Sequence, residues 1–120
     1  MQARIIEASR EMVGSSAMYH PDGMMQIGQD FAQMPEVIRN VASAIQLMTR
    51  QVQEGDTPMA PAIVDQVRSL HANLLKQAHA AEDLKPMFEN LHADDIKRIR
   101  EPRRNEQMWD VAANRDYYGR

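Results

Sequence analysis

Apolar residues between Met24 and Val52 recur with a strict rhythm. Met24, Ile27, Phe31, Met34, Ile38, Val41, Ile45, Met48 and Val52 are separated by 3, 4, 3, 4, 3, 4, 3 and 4 residues. At 3.6 residues per turn such positions fall on one face, so the stretch predicts a long amphipathic helix with a coiled-coil-like seam. A second run follows: Ile63, Val67, Leu70, Leu74, Gln77, Ala81, Leu84, Phe88 and Leu91, spaced 4, 3, 4, 3, 4, 3, 4 and 3. Pro35 and Pro86 fall inside the runs without breaking their phase, and each marks a kink or the first turn of a second helical piece. Gly55 lies just past the first run and is a natural stop. The following loop, GDTPMAP, offers Thr57 as a cap and Pro58 or Pro61 as a helix starter. Pro102 should end the second run near Glu101.

Two long helices joined by about six residues must run antiparallel, each arm ~45 Å or more in length. The expected fold is therefore all-α, an antiparallel helical hairpin. Its core seam is carried by Phe31, Ile38, Val41, Ile45, Leu70, Leu74, Leu84 and Phe88. Val37, Leu47, Val64, Leu75, Ile96 and Ile99 lie off that seam. Their exposure would be costly, which implies a second layer, and a homodimer completing a four-helix bundle is the expected solution. One position breaches the pattern. Either Gln77 is a polar core residue that sets register, or the neighbouring Ala78 turns inward and Gln77 reaches solvent. Ahead of the hairpin, ARIIEASREMV predicts a short helix, and YHPDG a turn with Asp22 as the next N-cap. The organisation read from the chain is a hairpin domain over 1–101 and a basic, aromatic tail over 102–120.

Composition sharpens this picture. A chain of 120 residues defaults to one domain, with 43% hydrophobic but only 5% aromatic residues. Ten methionines supply much of the apolar mass, either as core filler or as an adaptable helix surface. The absence of cysteine excludes a disulfide framework, a thiol nucleophile and thiolate metal sites. The N-terminus carries Arg4, Glu7, Arg10 and Glu11 and no long apolar run, so it reads as neither a signal peptide nor a membrane span. A cytoplasmic protein with no membrane partner is expected, and export by a route without a cleaved signal stays open. Net charge is −3, unevenly spread: residues 1–96 hold seven basic and thirteen acidic side chains, residues 97–120 seven and four. Along the sequence the C-terminal segment is then the one basic candidate for a nucleic-acid contact.

Candidate chemistry is thin. Glu89-Asn90-Leu91-His92 has the E-x-x-H spacing by which di-iron bundles draw two ligands from one helix, with Glu36 available as a lone carboxylate. Yet Phe88 and Leu91 occupy the seam, so Glu89 and His92 are expected on a solvated flank. His71 and His79 are eight residues apart and share a face only loosely, whereas a zinc pair uses i, i+4. No serine has a triad context, and the five glycines form no phosphate loop. The reading is a non-enzymatic protein with no cofactor and no metal. In KRIREPRR, the cations Lys97, Arg98, Arg100, Arg103 and Arg104 stand against Glu101. The first three are explained by the helix dipole, which favours cations at a C-terminus. The competing reading is phosphate contact. Met108 and Trp109 follow in a polar setting, where a lone Trp serves to dock on its own bundle or on a protein partner.

Two resemblances attach to these features. A helical hairpin of roughly this length, without cysteine or signal peptide, resembles in architecture the WXG100 proteins exported by type VII secretion. Here, however, the loop GDTPMAP contains no Trp-x-Gly, and neither Tyr117 nor Tyr118 is followed three positions on by an acidic residue. The hairpin together with LHADDIKRIREPRRNEQMWDV resembles small helical proteins encoded near conjugation genes on actinobacterial plasmids and integrative elements. That second resemblance implies an accessory or structural role in DNA transfer and carries no catalytic motif with it.

Overall fold

The computed structural model describes residues 1–101, and over them the protein is all-helical. In chain order the helices are α1 (Arg4–Ala17), α2 (Met24–Phe31), α3 (Met34–Glu54), α4 (Pro61–Ala81), α5 (Leu84–Leu91) and α6 (Ala93–Arg100). No described helix is long and apolar enough to cross a membrane. The tail expected over 102–120 lies outside the described residues.

Each of the two long apolar runs is cut by its proline. A proline ring clashes with the carbonyl four residues earlier and has no N–H to donate. For Pro35 that carbonyl belongs to Phe31, the last residue of α2; for Pro86 it belongs to Glu82, which caps α4. Both prolines then sit in the opening turn of the next helix, where a missing donor costs nothing. Pro61 opens α4 in the same way, after Ala60 as cap and without a side-chain cap from Thr57. Helix α3 stops at Gly55, in an extended rather than a left-handed conformation. At the start of α2 the expected cap shifts by one residue. The Gly23 carbonyl accepts the first helical bond from Ile27, and Gly23 adopts φ 146°, a region open to glycine and strained for other residues. The Asp22 backbone N–H instead donates to the Gln26 side chain at 2.6 Å.

The described residues divide into two compact units that are discontinuous in sequence. The first comprises Met1–His20 and Ala32–Asp83, hence α1, α3 and α4. Helices α3 and α4 pack along each other in opposite directions: Arg39 reaches Glu82 near one end, while Gln46, Thr49, Arg50 and Gln53 share a cleft with Val67, Arg68 and His71 near the other. Ala42 and Ala78 are fully buried, and Val64 nearly so. Small residues at those levels let the two backbones come close. Helix α1 lies by α3, with Ile5 and Ala8 across a shallow cavity from Ala44 and Met48.

Helix α4 presents a face to α3 that is rotated from the strict heptad. Val64, Val67, His71, Leu74, Ala78 and Ala81 are buried or half-buried, whereas Ile63 and Leu70 remain 53% and 46% exposed. Ala78 faces inward and Gln77 reaches solvent, which resolves the two alternatives for that breach. The second unit comprises Pro21–Phe31 and the chain from Leu84 to the end of the described residues, hence α2, α5 and α6. Here α2 packs on α5 by setting Gly28 against the Phe88 ring.

Candidate functional site

Among the described residues, the buried side chains are Pro35, Ala42, Val64 and Ala78, none larger than valine. The larger apolar side chains are half-buried or exposed. Of the expected seam, Ile38, Val41, Ile45 and Leu74 are half-buried within the first unit, while Leu70 is exposed. In the second unit Leu84 and Phe88 are half-buried and Phe31 is exposed. Off the seam, Val37, Leu47, Leu75 and Ile99 are exposed as well, while Val64 is buried and Ile96 half-buried.

Some of the exposed apolar residues of the first unit fall into stripes. On α3, the exposed Val37 and Met48 and the half-buried Ala44 share one face, a third of a turn or more from Ala42, which meets α4. On α4, Ile63, Leu70 and Gln77 are displaced in the same sense, by about a quarter turn, from the Val64–His71–Ala78 side that meets α3. On two antiparallel helices, offsets of the same hand turn both stripes toward the same side of the pair. Helix α1, through Ile5 and Ala8, lies against the α3 half of that face, and the Ile63–Leu70 half stays open.

The opposite side of the α3–α4 pair carries a polar cluster, with Leu47 and Leu75 also exposed away from the stripe. Arg39 and Glu82 form an ion pair there, with His79 Nδ1 3.6 Å from the second Glu82 oxygen. Toward the loop, Arg50, Arg68 and His71 line one cleft with Gln46, Thr49 and Gln53. Sequence reading missed this cluster. Arg50 and Arg68 are eighteen positions apart, each is isolated in its own segment, and only the antiparallel register brings them together.

In the second unit, His92 stands at the joint between α5 and α6. Its ring centroid lies 4.7 Å from that of Phe88, and its Nδ1 lies 3.3 Å from Asp95 Oδ2. The expectation of a merely solvated His92 is therefore corrected: it is half-buried between an aromatic ring and a carboxylate, while Glu89 is exposed. Leu91, expected on the seam beside Phe88, is 76% exposed. No group of three or more His, Cys, Asp or Glu residues is placed to hold a metal ion among the described residues.

Helix α6 sorts its charges along its axis, with Asp94 and Asp95 in the first turn and Lys97, Arg98 and Arg100 in the last. Both ends suit the helix dipole. Lys97 and Arg100 are exposed and Arg98 is half-buried. Arg103, Arg104, Met108 and Trp109 lie outside the described residues. Comparison with protein-family models, with curated proteins and with solved structures returns no match for this chain.

Proposed function

We propose that this chain is a non-enzymatic protein–protein interaction module, a coiled-coil-like helical hairpin that pairs with a second copy to complete a four-helix bundle. The observation that carries the reading is the open apolar stripe on α4, with Ile63 53% and Leu70 46% exposed beside a pair whose own interior holds nothing larger than valine. Contiguous exposed apolar surface marks an interaction site. A second copy meets it with the same stripe, as a two-fold contact requires. The accessory role in DNA transfer or secretion suggested by the resemblances, the cytoplasmic location, and a further protein partner for the Met108–Trp109 segment belong to this proposal. Light scattering of the full chain tests it. The expected mass is about twice 13.7 kDa, and a monomer at all accessible concentrations would refute it.

The runner-up is a nucleic-acid accessory protein that grips phosphate through Lys97, Arg98, Arg100, Arg103 and Arg104. Its support is the crowding of three cations into the last turn of α6. Binding of random duplex DNA that falls steeply with added salt, and that is lost on joint substitution of these residues, would put it ahead.

A further inference from the structure

We propose that the cleft between α3 and α4 near their connecting loop is an oxyanion site for a small molecule bearing a phosphate-class group. The open cleft offers about 430 Å³, within the range of small-ligand sites. Its lining is rich in donors and lacks a carboxylate: Arg50 and Arg68 supply guanidinium forks, His71 an imidazole, and Gln46 and Gln53 side-chain amides. The Thr49 hydroxyl is already committed, donating to the Ile45 carbonyl at 2.8 Å, so it serves as wall rather than donor.

Two features separate this cluster from ordinary solvated arginines. The first is that neither guanidinium has an ion pair among the described residues, although the other arginine of α3, Arg39, is held by Glu82. The second is that both occur in a region of net negative charge and yet line one cleft. Like charges lining one cleft repel, and an anion bound there would offset that repulsion. A planar guanidinium presents parallel N–H groups that match phosphate oxygens, which lysine does not.

The surroundings decide the size of the ligand. Glu54 ends α3, Asp56 lies in the loop and Asp65 lies in the first turns of α4, so carboxylates flank the basic spot in sequence on the loop side. On the other side Arg39 is neutralised by Glu82. Glu54 lies one helical turn from Arg50 and Asp65 one turn from Arg68, so an anion held by both arginines has to fit within the carboxylate-free lining of the cleft between them. A compact oxyanion is the class that fits.

The test is an NMR titration and calorimetry of the full chain with inorganic phosphate, pyrophosphate and adenosine 5′-monophosphate as separate probes. Saturable one-to-one binding of at least one probe is expected, with amide shifts confined to α3 and α4 around Gln46–Gln53 and Val67–His71. Arg50→Gln and Arg68→Gln should each weaken it about tenfold or more, as loss of a charge-assisted bidentate contact does. Both residues are exposed, so the variants should keep the wild-type circular dichroism. Arg39→Gln, outside the cleft, should leave affinity unchanged. Pyrophosphate binding with phosphate and nucleotide silent indicates a diphosphate ligand, and preference for the nucleotide indicates a nucleoside phosphate; either supports the site. Absence of saturable binding in the millimolar range overturns it, as do shifts centred on Lys97–Arg100 or unchanged affinity in both arginine variants. None of these outcomes bears on self-association, which rests on the other face.

Discussion

Gly28 on α2 lies directly against the ring of Phe88 on α5: a Cβ built on Gly28 would stand 2.5 Å from Phe88 Cε1 and 2.8 Å from Cδ1. This is the tightest approach at any described glycine, and it explains why a residue that weakens helices occupies the middle of α2. Replacing a helical glycine by alanine ordinarily stabilises by about 0.5–1 kcal/mol. Here the added methyl must displace an aromatic ring that is also stacked near His92, and overpacking of that kind costs about 1–3 kcal/mol. The clash wins, so Gly28→Ala should lower the thermal midpoint in circular dichroism. Gly28→Ala combined with Phe88→Leu should recover part of the loss. A rise in the midpoint for the single variant would show that the ring swings away freely.

Ala42 and Ala78 are both fully buried, and the register of α3 against α4 puts them at about the same level. A larger side chain at either position has to push the helices apart. Ala42→Leu and Ala78→Leu should each cost about 1–3 kcal/mol in urea denaturation, with the double variant worse than either. Ala72 and Ala80 lie on the exposed part of the same α4 helix. Leucine at those positions should shift stability by no more than about 0.5 kcal/mol.

These two sites also show where sequence legibility ends. The positions of Ile38, Val41 and Ile45 on the inner face of α3 follow from hydrophobic spacing alone; the chemistry of proline and glycine left a kink or a first turn at Pro35 and a start at Pro58 or Pro61, and it gave the stop at Gly55. On α4 the heptad template selected the larger apolar residues, Ile63 and Leu70, over their neighbours Val64 and His71. The close approach at Ala42 reverses that preference at its own level, where it favours the small Ala78. That constraint comes from the partner helix and leaves no trace in the periodicity of α4 itself. The Gly28–Phe88 contact and the Arg50–Arg68 cleft are longer-range still. Each joins residues distant in sequence that carry no shared motif, so neither was visible before the chain was folded.

His92 and Glu89 share the E-x-x-H spacing and should behave differently on truncation. Glu89 is exposed, so Glu89→Ala should leave stability within about 0.5 kcal/mol of wild type. His92 touches the Phe88 ring and sits 3.3 Å from Asp95 at the joint of α5 and α6. His92→Ala removes both contacts at once and should cost about 1 kcal/mol or more. Chemical denaturation of the two variants side by side checks this. Equal, negligible effects would mean that the joint is held by its backbone bonds alone.

The Arg39–Glu82 pair offers a further measurement. Both side chains are nearly half exposed, at 46% and 47%, so solvent screens the attraction. Exposed pairs contribute about 0.2–1 kcal/mol in double-mutant cycles. Arg39→Ala, Glu82→Ala and the double variant should give a coupling energy in that range, and raising the salt should shrink it. A coupling well above it would mean that the pair is more deeply desolvated than its exposure indicates.

The sharpest discrimination concerns the neighbours Ile63 and Val64, because they separate folding from self-association. Val64 is 8% exposed and faces α3, whereas Ile63 is 53% exposed on the open stripe. An aspartate at Val64 buries an unpaired charge, which costs several kcal/mol and should abolish cooperative unfolding. An aspartate at Ile63 enters water in the single chain, so helicity should survive with a loss of about 0.5–1 kcal/mol. In a two-fold dimer the same Ile63→Asp places like charges in the contact, and light scattering should report a monomer. The thermal midpoint of the unaltered protein should also rise with concentration, and that dependence should vanish in Ile63→Asp. If Ile63→Asp unfolds the chain while Val64→Asp is tolerated, the heptad register with Ile63 inside is the true one. If Ile63→Asp remains folded and its mass and concentration dependence match those of the unaltered protein, the open stripe of α4 does not mediate association.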